Sequence, residues 1–166
     1  AGGKGTRIAS VNSEVPKPMI PILGKPILEY EIESLKRQGY TDIIIVVGHL
    51  GNVIKDYFGD GSGISPATLK PFGVSISYIT EEQPLGTAGS LYVLKDQLLA
   101  DGCDNDFLLL NGDIIFDVDM NRFYQAHKHN GGLATLLSHP NSHPNDSGII
   151  MADEFGCIKK MVGKRR

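Results

Sequence analysis

Hydrophobic and polar positions alternate along this chain in two periods. Leu28, Ile32 and Leu35 recur at i, i+4 and i+7 between Pro26 and Gln38, and Gly39 follows. That spacing predicts a helix with one apolar stripe and a glycine stop. The unbroken β-branched run Ile43-Ile44-Ile45-Val46-Val47, with polar flanks, predicts a strand buried on both faces, as in a parallel sheet. Val53, Ile54, Tyr57 and Phe58 then predict a short helix ending at Gly59. From Gly59 to Gly73 the residues turn to Gly, Ser and Pro, which predicts a loop, and Val74 to Ile79 alternates like a strand. Leu91, Leu94 and Leu98 lie at helical spacing within Thr87 to Leu99. Phe107 to Leu110 reads as a buried strand running into Asn111-Gly112-Asp113. Met120, Phe123, Tyr124 and His127 mark another helical face, and Leu133 to Leu137 a short strand. The last pattern is Gly148-Ile149-Ile150-Met151, a turn, and Ile158 to Val162.

Strand and helix take turns, so the expected class is α/β with a mostly parallel sheet. Such sheets bind ligands at the carboxyl ends of their strands, which directs attention to the loops that follow each strand. No internal repeat and no linker interrupts the pattern, so residues 1–166 read as a single domain. The chain opens on a glycine-rich loop with no strand ahead of it and closes on Gly163-Lys164-Arg165-Arg166; both ends read as cut.

Composition narrows the classes. With 41% hydrophobic residues in 166, the bulk is not disordered, and no apolar run approaches the roughly 18 residues of a membrane span. Two cysteines, Cys103 and Cys157, cannot form a disulfide framework, so a reducing, cytoplasmic setting is expected. The net charge of −3 argues against a general nucleic-acid role. Its distribution says more. Through residue 28 the charged residues are Lys4, Arg7, Glu14, Lys17 and Lys25, a local excess of positive charge on an acidic chain, which suggests one localised anion site. Lys159, Lys160, Lys164, Arg165 and Arg166 read as a solvated face. His139 and His143 have an i, i+4 separation, but Pro140 and Pro144 argue against the helix a zinc pair would need.

Four loops carry candidate chemistry. In Ala1-Gly2-Gly3-Lys4-Gly5-Thr6-Arg7, three glycines let the backbone approach phosphates and turn N–H groups toward one anion, and Arg7 can grip phosphate with two parallel hydrogen bonds. It matches neither the Walker spacing nor the dinucleotide G-x-G-x-x-G. Pro16-Lys17-Pro18 fixes the backbone around one ammonium, which otherwise reads as a solvated turn lysine. Asn111-Gly112-Asp113 places a carboxylate after a strand, enough for Mg²⁺ held mostly through water and substrate phosphates, or else an Asx turn. In Glu81-Glu82-Gln83-Pro84-Leu85-Gly86-Thr87-Ala88-Gly89 the small residues admit a flat ligand and the Gln83 amide can read a base edge; Thr87 can also serve as a helix N-cap.

With Gly2-Gly3-x-Gly5-Thr6-Arg7, Pro16-Lys17-Pro18, Gly86-Thr87-Ala88-Gly89 and Gly112-Asp113 in this order, the chain resembles the sugar-1-phosphate nucleotidyltransferases (NDP-sugar pyrophosphorylases) over essentially its whole length. Residues Arg7 to Pro16, with His139-Pro140-Asn141 ahead of Asp146-Ser147, most resemble the D-glycero-D-manno-heptose 1-phosphate guanylyltransferases, close to the mannose-1-phosphate enzymes. The resemblance implies a Rossmann-like nucleotidyltransferase fold. It also implies transfer of a nucleotide from an NTP, GTP by the narrower match, to a sugar 1-phosphate. Gly2, Gly3, Gly5 and Thr6 would then bind base and phosphates, Arg7 the triphosphate, and Lys17 the charge around the reacting groups. Gln83, Gly86 and Thr87 would lie at the base. Asp113, beside Gly112, would bind Mg²⁺, and Gly148 and Lys164 would meet the sugar phosphate. Two positions depart from the family pattern: Ser147 stands where many members have Tyr, and Gly163-Lys164-Arg165 where they have Glu-Lys-Pro. The family's second metal aspartate lies further downstream. The implied partners are the two substrates, with no nucleic acid and no membrane; a homo-oligomer stays open. So do a pyrophosphorylase using dTTP, UTP or CTP, a transferase acting on another phosphorylated alcohol, and a non-catalytic subunit of the same fold.

Overall fold

The structure, a computed structural model, describes residues 15–81, 89, 91–92, 94–95, 106–140 and 148–163. The chain divides into two compact units, Ala1–Tyr124 and Gln125–Arg166.

Among the described residues the first unit begins with a tight 3-10 turn, Lys17–Met19, and a small hairpin of β1 (Pro21–Ile22) and β2 (Lys25–Pro26). Leu23 and Gly24 close it with φ of 51° and 82°, the positive pair that a two-residue hairpin turn of this hand requires. Helix α1 (Ile27–Arg37) follows, with Leu28, Ile32 and Leu35 buried as their spacing predicts. Gly39, at φ 91°, ends it, and Lys36 and Arg37 in its last turn complement the helix dipole. Strand β3 (Asp42–Val47), helix α2 (Gly51–Phe58) and strand β4 (Ser75–Thr80) form a β-α-β unit in which the two strands pair in parallel from Asp42↔Ser75 to Val47↔Thr80.

One core holds these elements together. Met19, Leu28, Ile32, Ile45, Val47, Ile54, Phe58, Phe72, Val74 and Ile76 form a continuous buried cluster, with the Phe58 and Phe72 rings 5.1 Å apart. Burying an aliphatic or aromatic side chain contributes about 1.5–3 kcal/mol, so this cluster fixes α1 and α2 against the parallel pair. The residue 59–73 segment is a loop as expected, yet it supplies Phe72 to the core and buries Ser65. Glu29, 1% exposed, accepts hydrogen bonds from Tyr57 (2.7 Å) and Thr68 (3.4 Å), which ties α1 to α2 and to that loop.

Three expectations change. The parallel strand β3 is not equally buried on both faces: Ile45 and Val47 are 6% and 0% exposed, but Ile44 on the other face keeps 36%. Phe107–Leu110 and Leu133–Leu137 are irregular rather than strands, with Phe107 51% and Leu109 57% exposed. A strand is defined by its ladder, and among the described residues neither segment has a ladder partner. The expected helix within residues 87–99 is seen at Gly89, Leu91, Tyr92, Leu94 and Lys95, with Leu94 buried; its other residues lie outside the described ones.

Helix α3 (Met120–Asn130) starts on Asp119, whose carboxylate accepts the Arg122 amide proton at 2.8 Å, an N-cap. In the second unit His127 Nδ1 lies 2.8 Å from the Thr135 hydroxyl. There β5 (Ile149–Ala152) and β6 (Ile158–Val162) pair antiparallel. Their turn is closed by Asp153, which accepts the Phe155 and Cys157 amide protons and meets Lys159 at 3.0 Å. Among the described residues no helix is long and apolar enough to cross a membrane.

Candidate active site

Lys17 stands in a turn closed by two backbone bonds, Met19 N–H to Pro16 O at 2.8 Å and Ile20 N–H to Lys17 O at 3.1 Å. Pro16 and Pro18 are buried on either side of it, while Lys17 is half-buried. The prolines fix φ, and Pro18 at the second position of the turn needs no donor there. The turn packs on α1. Among the described residues the Lys17 ammonium has no hydrogen-bond or ion-pair partner.

Asp113 lies in a turn with Gly112, exposed, and its carboxylate accepts no hydrogen bond among the described residues. What anchors the turn comes from α1 and its C-cap residue. Glu31, 4% exposed, accepts the Ile114 amide proton at 3.0 Å. Two helical turns later, Gln38 donates to Val118 O at 3.1 Å and accepts the Met120 amide proton at 2.7 Å. Burial pushes the Glu31 carboxyl up from 4.5 to about 7; the Asp113 charge also raises it, against the pull of the Ile114 N–H.

Glu31 and Gln38 were not among the expected functional residues. Their signal was available: Glu31 falls at i+3 from Leu28 and i−4 from Leu35, inside the apolar stripe, where an acidic side chain is out of place.

The carboxyl ends of β3 and β4 lie side by side, and Glu81 N–H donates to Val47 O at 2.7 Å, so the Glu81–Gly89 stretch departs from the sheet edge where ligands bind in this class. Gln83, Gly86 and Thr87 within it lie outside the described residues, as do Gly2, Gly3, Gly5, Thr6 and Arg7 at the start and Lys164 at the end. Gly148, in the second unit, is exposed just ahead of β5; a Cβ there would lie 3.8 Å from Val162 O, an ordinary contact.

Among the described residues there is no group of three or more His, Cys, Asp or Glu able to hold a metal ion. A lone exposed carboxylate is a poor resident site. It suits a hard cation that arrives with a polyphosphate and keeps most of its water, as Mg²⁺ does.

A nucleotidyl transferase family model matches residues 1–164. The UTP–glucose-1-phosphate uridylyltransferase of Synechocystis is 34% identical over 95% of this chain and 41% of its own length. The mannose-1-phosphate guanylyltransferase catalytic subunit beta of Xenopus tropicalis is 32% identical over 98% of this chain and 43% of its own. The chain thus spans about two fifths of the length of these curated relatives. A Bacillus anthracis protein assigned as a glucose-1-phosphate thymidylyltransferase, solved with sucrose, superposes with a TM-score of 0.80 at 25% identity, over 99% of this chain and 62% of that one. Its fold is the Rossmann-like one expected for this chain. With the family match running nearly end to end, and a shared fold beneath it, this chain belongs to the nucleotidyl transferase family.

Proposed function

We propose that residues 1–166 form the nucleotide- and sugar-phosphate-binding domain of a sugar-1-phosphate nucleotidyltransferase, which joins an NTP to a sugar 1-phosphate and releases pyrophosphate. The observation that carries this reading is the presence of two opposite charges, the Lys17 ammonium and the Asp113 carboxylate, unpartnered among the described residues on segments that both rest on α1.

The chemistry follows from charge. A sugar 1-phosphate has a second pKa of about 6 and is largely a dianion at pH 7, so no base is needed to create the nucleophile. Its phosphate oxygen attacks the α-phosphorus of the NTP, the bond from that phosphorus to the bridging β-oxygen breaks, and pyrophosphate leaves. Two unit charges at about 4 Å repel by about 4 kcal/mol at an effective dielectric of about 20. Lys17 opposes that repulsion, and its proline-flanked turn fixes the backbone from which the ammonium reaches the phosphates. Arg7 and the backbone of Gly2, Gly3, Gly5 and Thr6 take the triphosphate. Asp113, on its turn with Gly112, would hold Mg²⁺ together with phosphate oxygens, and the bound ion would supply charge neutralisation and polarise the phosphorus–oxygen bond. Gln83, Gly86 and Thr87 border the base; Gly148 and Lys164 meet the sugar phosphate.

Guanine and a heptose- or mannose-type sugar are the preferred substrates, supported by the resemblance of residues 7–16 and 139–147 and by the guanylyltransferase relative. Relatives named for uridylyl and thymidylyl transfer share this family, so base choice is a separate question, and the 83–87 stretch is our candidate for it. The test is pyrophosphate release by the full-length protein with Mg²⁺, over GTP, CTP, UTP, dTTP and ATP against several sugar 1-phosphates. Highest turnover is expected with GTP and a heptose or mannose 1-phosphate. A maximum in another column overturns the guanine assignment, and no turnover anywhere overturns the activity.

A further inference from the structure

The span from Asp113 to Asp119 has neither helix nor ladder to hold it, and the side chains beside Asp113 do not bury it: Ile114 and Ile115 are 46% and 54% exposed. Yet Asp113 must stay put if it is to act with a bound triphosphate. Its restraint is a pair of polar side chains, Glu31 on α1 at Ile114 N–H and Gln38, which caps the end of α1, at Val118 O and Met120 N–H.

We propose that Glu31 is the positioning residue for Asp113: by accepting the Ile114 amide proton it fixes the Gly112–Asp113 turn and so the place from which the Asp113 carboxylate meets the metal–triphosphate. This deepens the functional reading above and rests on it. A carboxyl group 4% exposed, with no cationic partner among the described residues, is costly to retain in an apolar stripe. Leucine would fill that position with no polar group to satisfy. The hydrogen bond to the residue next to Asp113 is what the carboxyl provides and leucine cannot. Its raised proton affinity agrees with a deeply placed group, and either protonation state leaves an oxygen to accept the bond.

The experiment compares the full-length protein with Glu31→Leu, Glu31→Met, Glu31→Gln and Asp113→Asn. Three readouts are taken: thermal unfolding, hydrogen exchange at the Ile114 amide, and the Mg²⁺ concentration for half-maximal pyrophosphate release. Groups that orient a metal ligand typically change affinity or activity by about 10–100-fold, and that range is expected for the Mg²⁺ requirement of Glu31→Leu and Glu31→Met, with faster exchange at Ile114. Glu31→Gln retains an acceptor oxygen and is expected to stay near wild type in both. Folded Leu or Met variants with an unchanged Mg²⁺ requirement overturn the proposal, as does a Gln variant as impaired as they are. Unchanged exchange at Ile114 overturns it without reference to activity. If Asp113→Asn instead keeps the full Mg²⁺ response, it is the metal assignment to Asp113 that fails, and the positioning role with it.

Discussion

A carboxyl group buried like Glu31 makes stability depend on pH in a direction opposite to that of the common salt-bridged acid. Its folded-state pKa is raised from 4.5 to about 7, by burial first and by the Asp113 charge as well, so the folded state holds its proton more tightly than the unfolded chain does. The resulting stability is complete below about pH 4.5 and is lost as pH rises through about 7. At 1.36 kcal/mol per unit the loss is on the order of 3 kcal/mol. Denaturant unfolding of the metal-free protein should therefore show wild type losing stability between pH 5 and pH 8 by about that much more than Glu31→Gln, which carries no titrating proton there. Parallel curves for the two proteins would contradict this account of Glu31. The turns that carry Lys17 and Asp113 were legible in the sequence because proline and glycine neighbours act locally on the backbone. Glu31 was not singled out because its partner lies 83 residues away along the chain. Only its intrusion into an apolar stripe hints at it.

Elements of the β-α-β unit were legible for a related reason. The β-branched run at 43–47, the paired apolar positions at 53–58 and the alternation at 74–79 each specify an element locally, and one core accepts all three. Residues 107–110 and 133–137 carry strand-like composition too, but composition does not supply a hydrogen-bonded neighbour, and among the described residues they have none. The join between β3 and α2 is closely packed. A Cβ on Gly51 would sit 2.8 Å from Val47 Cβ and 2.9 Å from Val47 Cγ2, and Val47 is fully buried, so it cannot move aside. Alanine gains up to about 1 kcal/mol in helix propensity over glycine, but forcing a methyl into a packed core costs about 1–3 kcal/mol. Steric conflict should prevail: Gly51→Ala is expected to destabilise by about 1–2 kcal/mol, read as a lower denaturation midpoint with unchanged m-value. A more stable variant would show that Val47 is less confined than the structure has it.

Across the whole molecule the net charge of −3 conceals a basic opening stretch on an acidic remainder, an arrangement suited to one polyanion site. Family membership and the α/β fold were both legible, the first from four short motifs and the second from period alone. Base and sugar choice were not, because the stretches 83–87 and 139–148 follow no period that links their residues to a ligand. The central claim is that Lys17 and Asp113 act on one reaction, and a double-mutant cycle tests it most directly. Pyrophosphate release by full-length wild type, Lys17→Ala, Asp113→Asn and the double variant supplies the four rates. Losing one charge-stabilising group typically costs about 10²–10³-fold in turnover, and residues that act as a unit do not combine multiplicatively. The account predicts a loss of that size in each single variant and a double variant only slightly worse than the poorer single. Losses that multiply in full, or a single variant with wild-type turnover, would contradict it.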